Sequence, residues 1–348
     1  MGTGSAQTRS NPTLVRGRRR FVLSLSLFAA LSCVVGGAEL VIWPEGNRYL
    51  PPLDVLHHTP FADFAVPGAV LAVVVGGAQI VCGVLVYRRA RGAVLSTVLA
   101  GGILSGWIIA EVGMMRGVYW LHGLYLAVGL ALLAVGAQSA LREKEPRDRW
   151  LVLVTAGEWL GFAFPAATGI VLSQLHVSGV VEVVGLGIAG AIEGLLLGAA
   201  QAWAWPLPVR RLRYAGLTAL AACGVWVGVM SLMQWVALHS EPTVLLLTLG
   251  VSTAVLGLLA MGAAQWVELR HHSQRAWRFI MWTALAWLLA LPFSFAPGPF
   301  VDETTPWPSQ LALWSMGGLL MAAAMAMVTW LGVKALVAGE DAGPPRTA

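Results

Sequence analysis

Ten stretches of about twenty residues each carry almost no charge, and this limits what the chain can fold into. They run over 21–43, 67–87, 92–114, 118–140, 150–174, 183–205, 214–237, 244–267, 279–296 and 309–336. A helix rises ~1.5 Å per residue, so each stretch is long enough to cross a hydrocarbon layer of ~30 Å. The apolar character is continuous rather than alternating, which predicts helices and not the strands of a barrel. Charged residues make up 11% of the 348, against about 25% in soluble domains. The hydrophobic share is 57% and the mean hydropathy +0.74. These values exclude a soluble enzyme, a disordered chain, a nucleic-acid binder and a disulfide-stapled secreted domain. The expected fold is all-α, a polytopic membrane helix bundle.

The basic residues orient the spans. With the N-terminus inside, the inner segments hold Arg9, Arg16, Arg18, Arg19 and Arg20, then Arg88, Arg89 and Arg91, then Arg142, Lys144, Arg147 and Arg149. They continue with Arg210, Arg211 and Arg213, then Arg270, Arg275 and Arg278, then Lys334 and Arg346. Of the 22 Lys and Arg, only Arg48 and Arg116 fall in outer loops. A miscounted span would swap inner and outer loops downstream and erase this bias. Ten spans with both termini cytoplasmic is the expected topology, in a bacterial plasma (inner) membrane. Arg19-Arg20-Phe21 also matches a twin-arginine export signal, but basic residues before a first apolar run equally describe an uncleaved signal anchor, the reading taken here.

Charge and composition divide the chain. Residues 1–20 form a basic cytoplasmic tail, 21–140 a four-helix membrane part, and 141–149 a charged cytoplasmic linker. Residues 150–337 form a six-helix part, and 338–348 a polar tail expected to be disordered. The six-helix part repeats itself. Gly190, Gly194, Gly198 and Gln201 on helix 6 align with Ala254, Leu258, Gly262 and Gln265 on helix 8. On helix 10 they align with Gly318, Ala322, Ala326 and Thr329. Thr155-Ala156, Thr218-Ala219 and Thr283-Ala284 recur near the inner starts of helices 5, 7 and 9. The expected unit is a helical hairpin of ~64 residues, present three times in parallel orientation. Gly or Ala at every fourth position lines one helix face and lets another helix approach closely, facing either the other stripes or the neighbouring odd helices. Gly190, Gly194, Gly198, Gly262 and Gly318 are therefore the expected packing residues.

Thr59-Pro-Phe-Ala-Asp-Phe64 with Pro67-Gly68, Trp107-Ile-Ile-Ala-Glu111, Tyr125 and Gly129 resemble a group of small bacterial four-helix membrane proteins. Gly198-Ala-Ala-Gln201 and Gly262-Ala-Ala-Gln265-Trp266-Val-Glu-Leu-Arg270 resemble bacterial proteins with repeated Gly-rich helices ending in Gln-Trp-x-x-Leu-Arg. Both groups are uncharacterised multi-pass membrane proteins, so the resemblance implies a fold and no activity. In the first repeat Ala202-Trp203-Ala204-Trp205-Pro206 replaces that ending.

Polar groups inside the spans are the candidates for function. A carboxylate near mid-bilayer costs about 2.5–3.5 kcal/mol. Glu39, Glu111 and Glu182 lie near outer helix ends and Glu268 near an inner one, where water is expected to solvate them. Glu158 and Glu193 lie deep, at ~13 and ~18 Å from the inner ends of adjacent antiparallel helices. Two carboxyls close together in a low dielectric do not both hold a charge, so such a pair can relay a proton or bind a cation. The repeat equivalents of Glu193 are Gly257 and Met321, and those of Glu158 are Ala221 and Ala286. Acid thus breaks the symmetry in one unit only. Gln201 and Gln265 are expected as interhelical hydrogen-bonding groups within the same candidate polar site.

Other features carry less. The outer loop holds Glu45, Asp54, His57, His58 and Asp63, without the spacing of a metal site. Pro51-Pro52 and Thr59-Pro60 shape its return, and Trp43, Phe61 and Phe64 suit the membrane interface. Cys33, Cys82 and Cys223 sit singly in apolar runs, as small hydrophobes. No phosphate-loop, zinc-protease, esterase or kinase signature is present. No catalytic residue, metal or cofactor is expected. The expected partners are the lipid bilayer and other membrane proteins or a second copy of the chain, with no nucleic acid. The favoured function is a non-enzymatic membrane scaffold or partner-binding protein. The alternative is a small-molecule or ion permease, proton-coupled through Glu158 and Glu193. A second alternative is a membrane-embedded enzyme acting on lipid or headgroup through His57, His58, Asp63 and His122. In a chain freed of its native cysteines, Glu145→Cys and Pro208→Cys are expected to react with an impermeant thiol reagent from the same side of the membrane. Reaction from opposite sides would break the span count.

Overall fold

The computed structural model describes residues 14, 16–48, 50, 52–142, 145–238 and 243–341. Ten helices among them are long and apolar enough to cross a membrane. They are α1 (Arg16–Ile42), α2 (Ala65–Tyr87), α3 (Ala93–Met115), α4 (Trp120–Arg142) and α5 (Pro146–Gln174). The series continues with α6 (Val180–Ala204), α7 (Arg211–Leu238), α8 (Thr243–Leu269), α9 (Arg278–Phe295) and α10 (Trp307–Asp341). No strand occurs among the described residues. Arg9, Pro51, Lys144, Arg346 and most of both expected tails lie outside the described residues. The helical part of the C-terminal tail is longer than expected, because α10 runs on to Asp341.

Helix ends follow local chemistry. Proline opens α5 at Pro146, where its missing N–H is no loss, so helix begins inside the charged linker. The C-terminal carbonyls of α2 are satisfied from outside their own helix. Arg19 donates to the carbonyls of Val86 and Tyr87 at 3.2 and 2.9 Å. Left-handed Arg116, at φ 52°, ends α3, and Gly179, at φ 73°, precedes α6. Pro165 and Pro292 lie inside unbroken helices. α2 contains a π-helical stretch over Leu71–Gly76, which nothing in the apolar pattern announced. Gly76 within it abuts Val34 and Cys33 of α1.

The chain divides into two compact units between Glu145 and Pro146. In the first, α1 packs on α2, α2 on α3, α3 on α4, and α4 meets α1. Two contacts there are backbone on backbone. A methyl group on Gly37 would lie 2.5 Å from the Gly68 carbonyl oxygen, and one on Gly101 2.6 Å from that of Gly129. Gln79, fully buried, donates to the Ala100 carbonyl at 2.8 Å and ties α2 to α3.

The second unit is a closed ring of six helices. Each of α5 to α10 packs on the next, and α10 packs back on α5. The small-residue stripes do not face one another; each faces the first helix of the following hairpin. A methyl on Gly198 would lie 2.8 Å from the Cα of Ala215 and the Cβ of Thr218 on α7. One on Gly194 would lie 2.7 Å from the Thr218 carbonyl oxygen. On α8, Gly262 meets α9 in the same way, with Ile280 Cα at 2.7 Å and Thr283 Cβ at 3.2 Å. Gly318 on α10 receives the ring of Phe162 on α5, and Gly190 on α6 receives the indole of Trp226 on α7.

Aromatic residues close one end of this ring. Trp150, Tyr214 and Phe279 stand at the starts of α5, α7 and α9 and are fully buried. Trp205 meets Trp150 and Phe279 edge-on, each at 5.2 Å between ring centres. Edge-to-face pairs of this kind contribute about 0.5–1.5 kcal/mol each beyond the area they bury.

Gly198→Leu forces a branched side chain between two backbones, so a destabilisation of about 1–3 kcal/mol or failure to assemble is expected. Gly224→Ala, on α7 with no atom within 4 Å of the added methyl, is the matched control. It is expected to stabilise by about 1 kcal/mol through helix propensity. Thermal unfolding of the detergent-purified protein checks both; equal behaviour would remove the close contact as the basis of the ring.

Candidate functional site

Two polar layers lie inside the six-helix unit. The layer nearer the aromatic end is built on Gln201 and Gln265. Each sits on a face lined by small residues, so its amide reaches its neighbours unobstructed. Gln265 Nε2 donates to Gln201 Oε1 at 2.8 Å, and the Tyr214 hydroxyl donates to the same oxygen at 3.1 Å. Thr283 Oγ1 donates to Gln265 Oε1 at 3.4 Å. These bonds link α6, α7, α8 and α9. Two more join α5 to α10: Trp150 Nε1 donates to Thr329 Oγ1 at 3.1 Å, and Trp159 Nε1 to Ser315 Oγ at 3.0 Å. Gln201 and Gln265 are buried, and Gln201 Nε2 has no hydrogen-bond partner.

The deeper layer is the carboxyl pair. Gly157 and Gly161 of α5 bring α6 so close that a methyl on Gly161 would lie 3.0 Å from Glu193 Cα. At that level Glu158 and Glu193 come within hydrogen-bonding reach of each other. Glu158 is 0% exposed and Glu193 5%. Glu193 Oε2 accepts a hydrogen bond of 2.7 Å from Trp226 Nε1 on α7. Gly190, one turn before Glu193, makes the notch that admits this indole; a methyl there would fall inside the ring. Glu158 is placed differently. With both groups ionised, neither of its oxygens has a donor. The Trp226 donor thus serves Glu193 and leaves Glu158 with the second carboxyl as its polar neighbour.

The other acids depart from expectation in one case. Glu268 is not solvated at its helix end; it is 1% exposed. Its Oε1 accepts from the Arg210 backbone N–H at 2.9 Å, and its Oε2 lies 3.4 Å from Arg213 Nη1. The loop before α7 folds over the end of α8 and shuts water out. Glu111 lies 3.8 Å from His122 on the next helix. Glu182 accepts from Gln234, and Glu39 from Asn47. Asp63 accepts the Ala65 N–H at 2.9 Å and so starts α2, rather than pairing with His57 or His58. His57 and His58 are exposed neighbours, with ring centres 6.2 Å apart. Among the described residues no group of three or more His, Cys, Asp or Glu is arranged to hold a metal ion.

Sequence reasoning missed Trp226 and Tyr214 as partners of the two layers. Trp226 has no polar neighbour in sequence. The available signal was geometric: Gly190 lies three residues before an intramembrane acid and four before Gly194 on the same helix face. No protein-family model, curated protein or solved structure matches this chain.

Gln201→Leu leaves the Tyr214 hydroxyl and the Gln265 amide without their acceptor. A loss of about 1–3 kcal/mol is expected, with Gln201→Leu/Gln265→Leu costing less than the sum of the single changes. Thermal unfolding of the four proteins reads the coupling; strict additivity would mean that the amides do not act together.

Proposed function

We propose that this chain is a multi-pass protein of the bacterial plasma membrane, with both termini inside, and that its six-helix unit is the core of a proton-coupled permease. The observation that carries this reading is the meeting of Glu158 and Glu193, enclosed and with a donor on one acid only. Intramembrane acids are costly, and those that persist commonly mark ion or proton pathways. Here the cost falls in one hairpin of three.

The three-hairpin repeat is part of the proposal. Gln201 accepts from Tyr214 at the start of the next hairpin, and Thr329 accepts from Trp150 at the start of the hairpin that follows around the ring. Gly190 and Gly318 likewise each seat an aromatic ring, of Trp226 and Phe162. Trp150 and Phe162 lie one repeat length before Tyr214 and Trp226. Equivalent residues in equivalent contacts support a common unit, on which the acid pair and its indole are an added feature.

A second reading has its own support. Backbone contact at Gly194, Gly198 and Gly262 suits a rigid scaffold that presents its outer surface to other membrane proteins.

Infrared difference spectra separate the two. The permease reading expects a protonated-carboxyl band that exchanges in D2O and disappears in Glu158→Gln. It also expects solute or ion flux driven by a pH gradient in vesicles to be lost in Glu193→Gln, while expression and elution volume are kept. A carboxyl band closed to exchange, together with flux unchanged in both variants, would leave the scaffold reading. That reading expects Gly194→Leu, and not the acid substitutions, to abolish partner co-purification.

A further inference from the structure

The buried Glu268 clasp shapes a second feature, different in chemistry from the acid pair. Arg210, Arg213, Glu268, His271 and His272 line a hollow of about 200 Å³. Glu268 forms the buried wall. It grips the Arg210 backbone N–H at 2.9 Å, and Arg213 and His272 stand 3.4 and 3.5 Å from its carboxyl oxygens. The Arg210 backbone bond and the Arg213–Glu268 ion pair hold together the two segments that form the hollow. A water molecule takes up about 30 Å³ of liquid, so the space suits one small polar group rather than a whole metabolite.

Across the two hollows three arginines stand against one carboxylate, an excess of positive charge that suits an anionic group. A second hollow adjoins the first, more open, of about 720 Å³, sharing Arg210 and Arg213 and otherwise lined by Pro208, Val209, Arg211 and Leu212. Leu212 is 91% exposed, and Pro208 is exposed beside it. The basic hollow thus opens beside a second one that sets Arg211 next to the exposed Pro208 and Leu212 at the start of α7.

We propose that this pair of hollows binds an anionic membrane phospholipid, its phosphodiester against Arg210, Arg213 and His271 and the glycerol end of its chains along the exposed Pro208 and Leu212. Basic pockets at the cytoplasmic ends of membrane helices are suited to anionic headgroups. A guanidinium holds the phosphate oxygens through paired, charge-assisted hydrogen bonds. The proposal rests on the membrane topology proposed above, which puts residues 206–213 at the cytoplasmic surface, and is independent of proton coupling.

The full-length protein in mild detergent, exchanged against phosphatidylglycerol, phosphatidylcholine or inorganic phosphate, provides the test, with bound mass read by native mass spectrometry. Phosphatidylglycerol is expected to be retained in preference to phosphatidylcholine. Arg210→Gln/His271→Gln spares the Arg213–Glu268 pair and the Arg210 backbone donor; it is expected to weaken retention at least about tenfold without changing the unfolding temperature. Equal retention of the two lipids, or retention unchanged in the double variant, overturns the proposal. Displacement of phosphatidylglycerol by inorganic phosphate overturns the lipid as the source and leaves a phosphate site. Thiol labelling of Pro208→Cys from the outer side would instead overturn the topology on which the proposal stands.

Discussion

Helix backbones in direct contact are the constraint on which the six-helix unit depends. Between apolar helices in lipid, burial offers no gain over contact with acyl chains, so association rests on packing at short range. Short range requires the absence of side-chain atoms. Gly157 and Gly161 on α5, Gly194 and Gly198 on α6 and Gly262 on α8 meet that condition. Each glycine costs about 1 kcal/mol of helix propensity relative to alanine. The ring accepts that cost at the contact positions, where no larger residue leaves room for the neighbouring helix.

Close approach then decides where polar groups go. Gly161 brings the backbone of α5 against Glu193, and this is what carries Glu158 into reach of the second carboxyl. Gly190 admits the indole that holds Glu193 from the other side. The same residue type that packs the helices thus builds the candidate site. Around the ring, Thr329 accepts from Trp150 as Gln201 accepts from Tyr214 in the amide layer. It holds the helices at fixed rotation, whereas the acid pair is confined to one hairpin and is not needed to close the ring.

Much of this arrangement was readable in the residue order. Helix number and approximate limits followed from apolar length, and the packing role of the glycine stripes from their four-residue spacing. That Glu158 and Glu193 lie well inside their helices followed from counting along each one. The partner of each stripe did not follow, because the spacing identifies a face and says nothing about the helix opposite. Glu268 was misplaced for a related reason: distance from a helix end predicts access to water only if no loop folds over that end, and the Arg210–Arg213 segment does. The π turn at Leu71–Gly76 lay equally out of sight, since an apolar run looks the same whichever carbonyl each N–H finds.

By itself the sequence determined the all-helical class, the ten apolar lengths and the residues rare enough in such surroundings to matter, because each of these depends on composition along a single helix. The tertiary structure decided ring closure, the contact of one acid with the other, the indole on only one of them and the basic hollow beside α7. Those depend on which surfaces meet, and van der Waals contact and hydrogen bonding act only over distances that chain order does not specify.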